Sequence, residues 1–379
     1  MTLAPELPHP APVARPGWGE RITGRLRSFG SATSKRIIGV DVARGLAVLG
    51  MYGAHVGLTE PFDWAAPGTW LDVVNGRSSI LFAVLAGVSI AIISGGRESA
   101  EGESLRRARI RILVRALLVF AIGMVLVALD TRIAVILPVY AVLFVAAIPV
   151  LRCRSRWLFA AAAVVAVAGP VAANLVDASV GEAGPVVDLL FTGHYPAVIW
   201  IAFVLAGLGV GRLDLASPSV RLRMLLSGVA LAVLGYGLGV AAGSAVAAST
   251  RPVPLDVRLL ATVEAHSGSP FEVVGSTGFA LAVLALCLIA ARPLHLPLYL
   301  VAAVGSMALS AYTAHVVIVW LIGDRAFTQD DNGLYLAFVV GALVACALWA
   351  RFLGRGPLER VLTRVSTRAA KPVREGARR

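Results

Sequence analysis

Ala116-Leu-Leu-Val-Phe120-Ala-Ile-Gly-Met-Val125-Leu-Val-Ala-Leu129 runs without a charge, pauses at Asp130-Thr131-Arg132, and resumes as Ile133-Ala-Val-Ile136 on to Leu151. A bilayer core of about 30 Å takes about 20 apolar residues as a helix, and no soluble domain needs such runs back to back. The same pattern recurs along the chain. Candidate spans fall at 37–58, 78–95, 111–129, 132–151, 157–175, 195–211, 222–247, 273–291, 297–322 and 333–353. With 58% hydrophobic and 15% charged residues and a mean hydropathy of +0.81, lipid must be the solvent for most of the surface. The expected fold is therefore all-α, a polytopic transmembrane helical bundle of about ten spans. Asp130 and Thr131 alone should join the third and fourth spans as a tight hairpin. The segment 170–194, with Pro170 and Pro185, has room for a further re-entrant piece.

The net charge of +12 is mostly Arg in short loops and tails, which encodes membrane orientation rather than nucleic-acid binding. With the N-terminus inside, 27 Lys and Arg fall in inner loops and tails against 5 in outer loops, so both termini are expected to be cytoplasmic. The first apolar run begins near Ile37, is longer than a signal-peptide core and lacks a small-residue cleavage site, so it is expected to remain as the first span. Residues 1–35 and 356–379 read as cytoplasmic tails. The first and the stretch 365–379 have a disordered composition, and the basic C-terminal tail also suits an anionic lipid surface. Cys153, Cys287 and Cys346 show neither disulfide nor metal spacing, and no two histidines stand at ligand spacing on one helix, so no metal is expected.

The first span departs from a generic one: Asp41-Val-Ala-Arg44-Gly45 near its start and His55 near its end. Ionisable groups within a span are costly and face protein or water. At about 100° and 1.5 Å per residue, Asp41, Arg44 and His55 share one face, with Arg44 and His55 about 16 Å apart along the axis. They can line one passage; alternatively Asp41 and Arg44 are an ion pair at the interface and His55 an interfacial polar residue. His55, His194, His266 and His315 all lie in the outer half of this topology. A neutral imidazole there suits general-base work, with Asp63, Glu264 or Glu272 available to orient it. Ordinary solvated histidines would look the same. Asn75-Gly76-Arg77-Ser78-Ser79 precedes the second span, with Ser78 as a candidate N-cap and Asn75 or Arg77 able to hold a polar acceptor. Pro138 and His194-Tyr195-Pro196 are candidate helix breaks, whereas Gly235, Gly237, Gly239 and Gly243 fit close helix packing.

Asp41-x-x-Arg44-Gly45-x-Ala47 and Asn75-Gly76-Arg77-Ser78-Ser79-Ile-Leu-Phe82-Ala-Val-Leu-Ala-Gly87, with the basic loop that follows, resemble the heparan-alpha-glucosaminide N-acetyltransferase family of membrane acyltransferases. Gly193-His194-Tyr195-Pro196, His266-Ser-Gly268, Gly275-Ser-Thr-Gly278 and Gly305-Ser306 through His315 resemble an associated bacterial membrane family of unknown function. The resemblance divides the chain into 36–212 and 222–355. It implies transfer of an acyl group from cytosolic acetyl-CoA to an amino or hydroxyl group, often on a sugar beyond the membrane, here an envelope glycoconjugate. Arg44 would hold the thioester end or a phosphate, with Arg106, Arg107 and Arg109 as outlying phosphate contacts. His55 would be general base or acyl carrier beside Asp41 and Arg44, and Asn75, Arg77, His194, His266 and His315 would bind the acceptor. The better-known acetyltransferases carry an Asn near the end of this span and a catalytic histidine in the following outer loop. Here the span ends with His55 and residues 59–77 hold no histidine. The implied partners are the bilayer of the plasma membrane and a small-molecule or glycan acceptor, with a homodimer open. A transporter or lipid-handling protein is the alternative, since it also wants broken helices and intramembrane charge.

Overall fold

The structure is a computed structural model describing residues 37–181, 184–250, 252–328 and 331–371. The expected N-terminal tail and the last eight residues lie outside the described residues. From Ile38 onward the chain is one compact unit, and the described residues contain no strand. Its longer α-helices are α1 (Ile38–Val56), α2 (Arg77–Ile93), α3 (Gly102–Val127), α4 (Leu137–Ala146), α5 (Ser155–Ser179), α6 (Ala197–Gly211), α7 (Pro218–Ala247), α8 (Pro270–Ala290), α9 (Tyr299–Ser306), α10 (Ala308–Ile322), α11 (Gly333–Phe352) and α12 (Pro357–Ala369).

Among the described residues six helices are long and apolar enough to cross a membrane, or up to eight if each of two bent pairs counts as one span. The first pair, Pro185–Thr192 with Ala197–Gly211, bends by 50° where the sequence left room for a re-entrant piece. The second, Tyr299–Ser306 with Ala308–Phe327, bends by 82° inside what reads as one continuous span. Lipid is written on the surface: Leu226, Val233, Leu234 and Leu238 of α7 and Leu336, Val340 and Val344 of α11 are exposed, a distribution water would penalise.

Several local expectations are corrected. The link between α3 and α4 is no two-residue hairpin, because α3 ends at Val127 and α4 starts only at Leu137. α4 is ten residues long, about 15 Å, so regular helix covers only half of the expected span 132–151, and turns follow it. Its shortness leaves an apolar groove of about 440 Å³ beside α3, lined by Leu117, Phe120, Ala141 and Val145 among others. Pro138 breaks nothing, since it sits in the first turn of α4 where a missing N–H costs no bond. Ser78 is not an N-cap. Gly76 takes that position with φ +69°, a backbone region a side chain resists, and Ser78 lies buried one residue inside α2. Residues 365–369 are the end of α12, not disordered chain.

Small residues set the helix spacing. A Cβ on Gly235 would collide with the Gly275 backbone of α8, and one on Gly239 with Val263 and Phe271, while Gly237 faces open space. Two of the four glycines thus bring α7 against α8, as small-residue packing requires. The other decisive crossing is α1 on α9. There a Cβ on Gly45 would meet the Val301 carbonyl, and one on Gly305 the Asp41 carbonyl.

The loops sort to two ends. At one, Arg97 pairs with Asp214 at 3.1 Å and Arg152 with Glu101 at 3.7 Å. Buried Arg212 binds the closing carbonyls of α2 there, donating to Gly96 O at 2.7 Å and Ser94 O at 3.3 Å. At the other end the loops around Gly76 and Ala265 touch, and Leu58 N–H donates to Asn332 Oδ1 at 2.8 Å.

Candidate functional site

α1 joins the two ends, and its first turns hold the ion pair. Arg44 Nη1 donates to Asp41 Oδ1 at 3.0 Å and Nη2 to Ser89 Oγ of α2 at 2.7 Å. Asp41 is buried and Arg44 half-buried. A buried carboxylate needs such a partner, and the i, i+3 spacing supplies it within one turn. The guanidinium lies in a basic neighbourhood: Arg115 of α3 stands within electrostatic reach of Arg44, Arg111 and Arg355. Arg111 and Arg115 were missed as site residues. The signal was the four-residue spacing of Arg107, Arg111 and Arg115, which makes one stripe along α3. Of the arginines expected here, Arg106 reaches Glu103 with two bonds of 2.7 and 2.8 Å and Arg107 reaches it at 3.3 Å, all on the exposed start of α3. Arg109 is exposed on the same helix.

The end of α1 holds the histidines. His55 Nδ1 lies 3.1 Å from His315 Nε2 of α10, and the two rings stack with centroids 5.3 Å apart. His315 is 1% exposed and is clamped between Tyr52, stacked at 4.3 Å, and Phe338 of α11, edge-on at 4.7 Å. Tyr52 is itself fixed by donating its hydroxyl hydrogen to Ala311 O at 3.0 Å. His315 Nδ1 is buried with no hydrogen-bond partner among the described residues. The rings share a single N–H between facing nitrogens, so one of the two imidazoles necessarily accepts.

A second imidazole pair joins the first. His194 and His266 have ring centroids 4.3 Å apart, with Tyr195 against both. Burial holds His266 well below the usual histidine range, at about 4, and the charges of His194 and His55 add to this. The four histidines expected in the outer half thus form two ring pairs, and a charge on His55 is felt at His266.

No candidate carboxylate orients an imidazole. Asp63 accepts from Ala65 N–H in its own loop, and Glu264 is exposed. Buried Glu272 accepts instead from the backbone N–H of His266 at 2.9 Å and of Gly268 at 2.7 Å. It therefore holds the loop on which His266 adopts φ +63°, and leaves His266 Nδ1 without a partner among the described residues. Asn75 and Arg77 border this loop, because Gly76 abuts Ala265. Asn75 Nδ2 donates to Asp72 at 3.4 Å, and Arg77 Nε donates to Tyr236 Oη at 3.0 Å, which in turn meets Ser276 Oγ at 2.8 Å. Among the described residues no three His, Cys, Asp or Glu side chains are grouped as a metal site.

No curated protein matches the chain. Residues 225–369 match a family described only as a protein of unknown function. Residues 36–245, more than half the chain and including Asp41, Arg44, His55, Asn75, Arg77 and His194, match the model of heparan-alpha-glucosaminide N-acetyltransferase, catalytic. The chain accordingly belongs to the heparan-alpha-glucosaminide N-acetyltransferase catalytic family, a family of membrane acyltransferases.

Proposed function

We propose that the protein transfers an acetyl group from acetyl-CoA, taken up at the Arg44 end, to an amino or hydroxyl group of an envelope glycoconjugate at the histidine end. It does so as a plasma-membrane protein of about ten spans with both termini in the cytoplasm. The observation that carries the reading is the His55–His315 contact of 3.1 Å at the far end of the helix that starts with the Asp41–Arg44 pair. Supporting it is the excess of basic residues in the loops assigned to the cytoplasm.

In this reading Asp41 holds Arg44, and Arg44 receives the donor's phosphate end, with Arg106, Arg107 and Arg109 drawing the anion inward. The donor supplies an acyl group activated as a thioester. His55 takes the proton as the acceptor's nitrogen or oxygen attacks the carbonyl, and returns it to the sulfur that leaves. His315 positions the His55 ring, and His194, His266, Asn75 and Arg77 line the acceptor side.

Radiolabelled acetyl-CoA given to the purified protein in nanodiscs, with a panel of amino sugars and polyol glycans, tests this. Label transfer should fall at least 100-fold in His55→Ala, the low end of what a general base contributes (about 10²–10⁴). The two bent helix pairs would equally serve a transporter. Absence of label transfer, with acceptor-independent flux in proteoliposomes, would select that function instead.

A further inference from the structure

At the basic end the link after α11 and one face of α12 enclose a pocket of about 250 Å³ lined by Arg355, Arg360, Thr363 and Arg364. Arg360, Thr363 and Arg364 follow i, i+3, i+4 spacing, so a single helix face supplies three of the four. Arg360 is held in place. It donates to Leu353 O and lies over the Trp349 ring, whose Nε1 donates to Arg355 O at 3.1 Å.

The one carboxylate of α12, Glu359, is turned away from the pocket. It accepts from Leu309 N–H at 2.9 Å, Ser310 N–H at 3.1 Å and Ser310 Oγ at 2.5 Å. Among the described residues neither Arg355, Arg360 nor Arg364 forms an ion pair. Behind them Arg115 meets Ser366 Oγ at 3.4 Å and lies within electrostatic reach of Arg355, Arg111 and Arg44. Arg111 Nε is buried without a hydrogen-bond partner among the described residues. Orientation in the membrane asks only for basic residues on this side. It does not ask them to converge on a cavity with their carboxylate facing elsewhere.

We propose that this pocket binds a phosphate group, with Arg360 and Arg364 as forked donors, Thr363 as hydroxyl donor and Arg355 closing the rim. Guanidinium forks match phosphate oxygens two at a time. The phosphate belongs either to a soluble phosphate ester or to an anionic lipid headgroup. The first source rests on the acyl-donor reading and places the donor's phosphates on the segment of unknown function; the second does not depend on it.

The test uses the full chain in nanodiscs of neutral phosphatidylcholine, titrated with adenosine 3′,5′-bisphosphate and with inorganic pyrophosphate. Retention of phosphatidylglycerol from mixed nanodiscs is read in parallel by native mass spectrometry. Arg360→Gln with Arg364→Gln should weaken the phosphate probe, or lower the retained anionic lipid, at least tenfold. Arg154→Gln with Arg156→Gln, an equal change of charge at the same end, should do neither. Thr363→Val, which leaves the charge intact, should weaken the same ligand several-fold and guards against a misfolded double variant. Saturable probe binding identifies the soluble ester, and lipid retention without probe binding identifies the headgroup. A wild-type protein that takes neither, or a double variant equal to wild type, overturns the pocket. Binding is read without acyl transfer, so loss of transfer with phosphate binding intact sinks the enzymatic reading and spares this one.

Discussion

Removing the Glu359 carboxylate should undock α12 from the rest of the protein. Ala308, Leu309 and Ser310 open α10 just after the 82° break, and their first-turn amides have no acceptor within the helix. Glu359 caps two of them, at 2.9 and 3.1 Å, and takes the Ser310 hydroxyl at 2.5 Å, while Leu358 N–H donates back to Ser310 Oγ at 3.1 Å. A hydrogen bond to a charged acceptor contributes about 1.5–3 kcal/mol. Two amides at the lower figure give about 3 kcal/mol, and water entering the broken interface keeps the loss near that value rather than the upper bound. At about 1.4 kcal/mol per tenfold, Glu359→Ala should raise the undocked population about 100-fold. Hydrogen exchange of the Pro357–Ala369 amides followed by mass spectrometry reads that population directly. Glu359→Gln keeps an acceptor without the charge and should recover about half the effect in kcal/mol. Exchange in α12 unchanged by Glu359→Ala, in a protein whose other helices exchange normally, would refute the claim that this carboxylate anchors the helix.

Two further outcomes follow from the geometry. Gly305→Val drives a side chain into the Asp41 backbone, and overpacking of this kind costs about 1–3 kcal/mol or more. The thermal midpoint in detergent should drop, and Arg44 should become reactive to an aqueous guanidinium reagent; an unchanged midpoint would disprove the tight α1–α9 crossing. His266 titrates near 4 in the folded protein and near 6.5 when unfolded. Between these values the unfolded chain binds the extra proton, so stability present above pH 6.5 is lost as pH falls toward 4. His266→Asn should flatten that slope in thermal unfolding curves measured from pH 7 to 4, and a slope identical to wild type would show that the burial of the imidazole is misjudged.

Hydropathy alone placed a helix in every segment read as a span, because twenty apolar residues have few alternatives in lipid. The Asp41–Arg44 pair was legible for the same local reason: residues three apart on a helix are neighbours. What escaped the sequence depends on distant partners. His55 and His315 are separated by 260 positions, and nothing near either announces the other. The break at Met307 carries no proline and is held by Glu359 from beyond the last span. α12 was legible in principle, since Gly356-Pro357-x-Glu359 is a helix start and Leu358, Val361, Leu362 and Val365 keep helical spacing. The abundance of Arg around it read as a solvated tail. Glu272 shows a different limit. Proximity of a carboxylate to a histidine in sequence pointed to the ring, whereas the nearest unmet donors were backbone amides of the loop.

Both clusters are built across the boundary between the two matched segments. His55 and His194 lie in residues 36–245, and their ring partners His315 and His266 lie beyond them, within 225–369. The same holds at the basic end, where Arg44, Arg111 and Arg115 come from the first segment and Arg355, Arg360 and Arg364 from the second. Gly45 against Val301 and Gly305 against Asp41 fix how the segments register, since helices in lipid gain no hydrophobic drive to associate and depend on close backbone approach. The segment of unknown function is therefore not an appendage to an acyltransferase unit. It supplies half of each cluster, and the glycine crossing that seats α9 against Asp41 and Gly45 is what joins the two halves at the foot of α1.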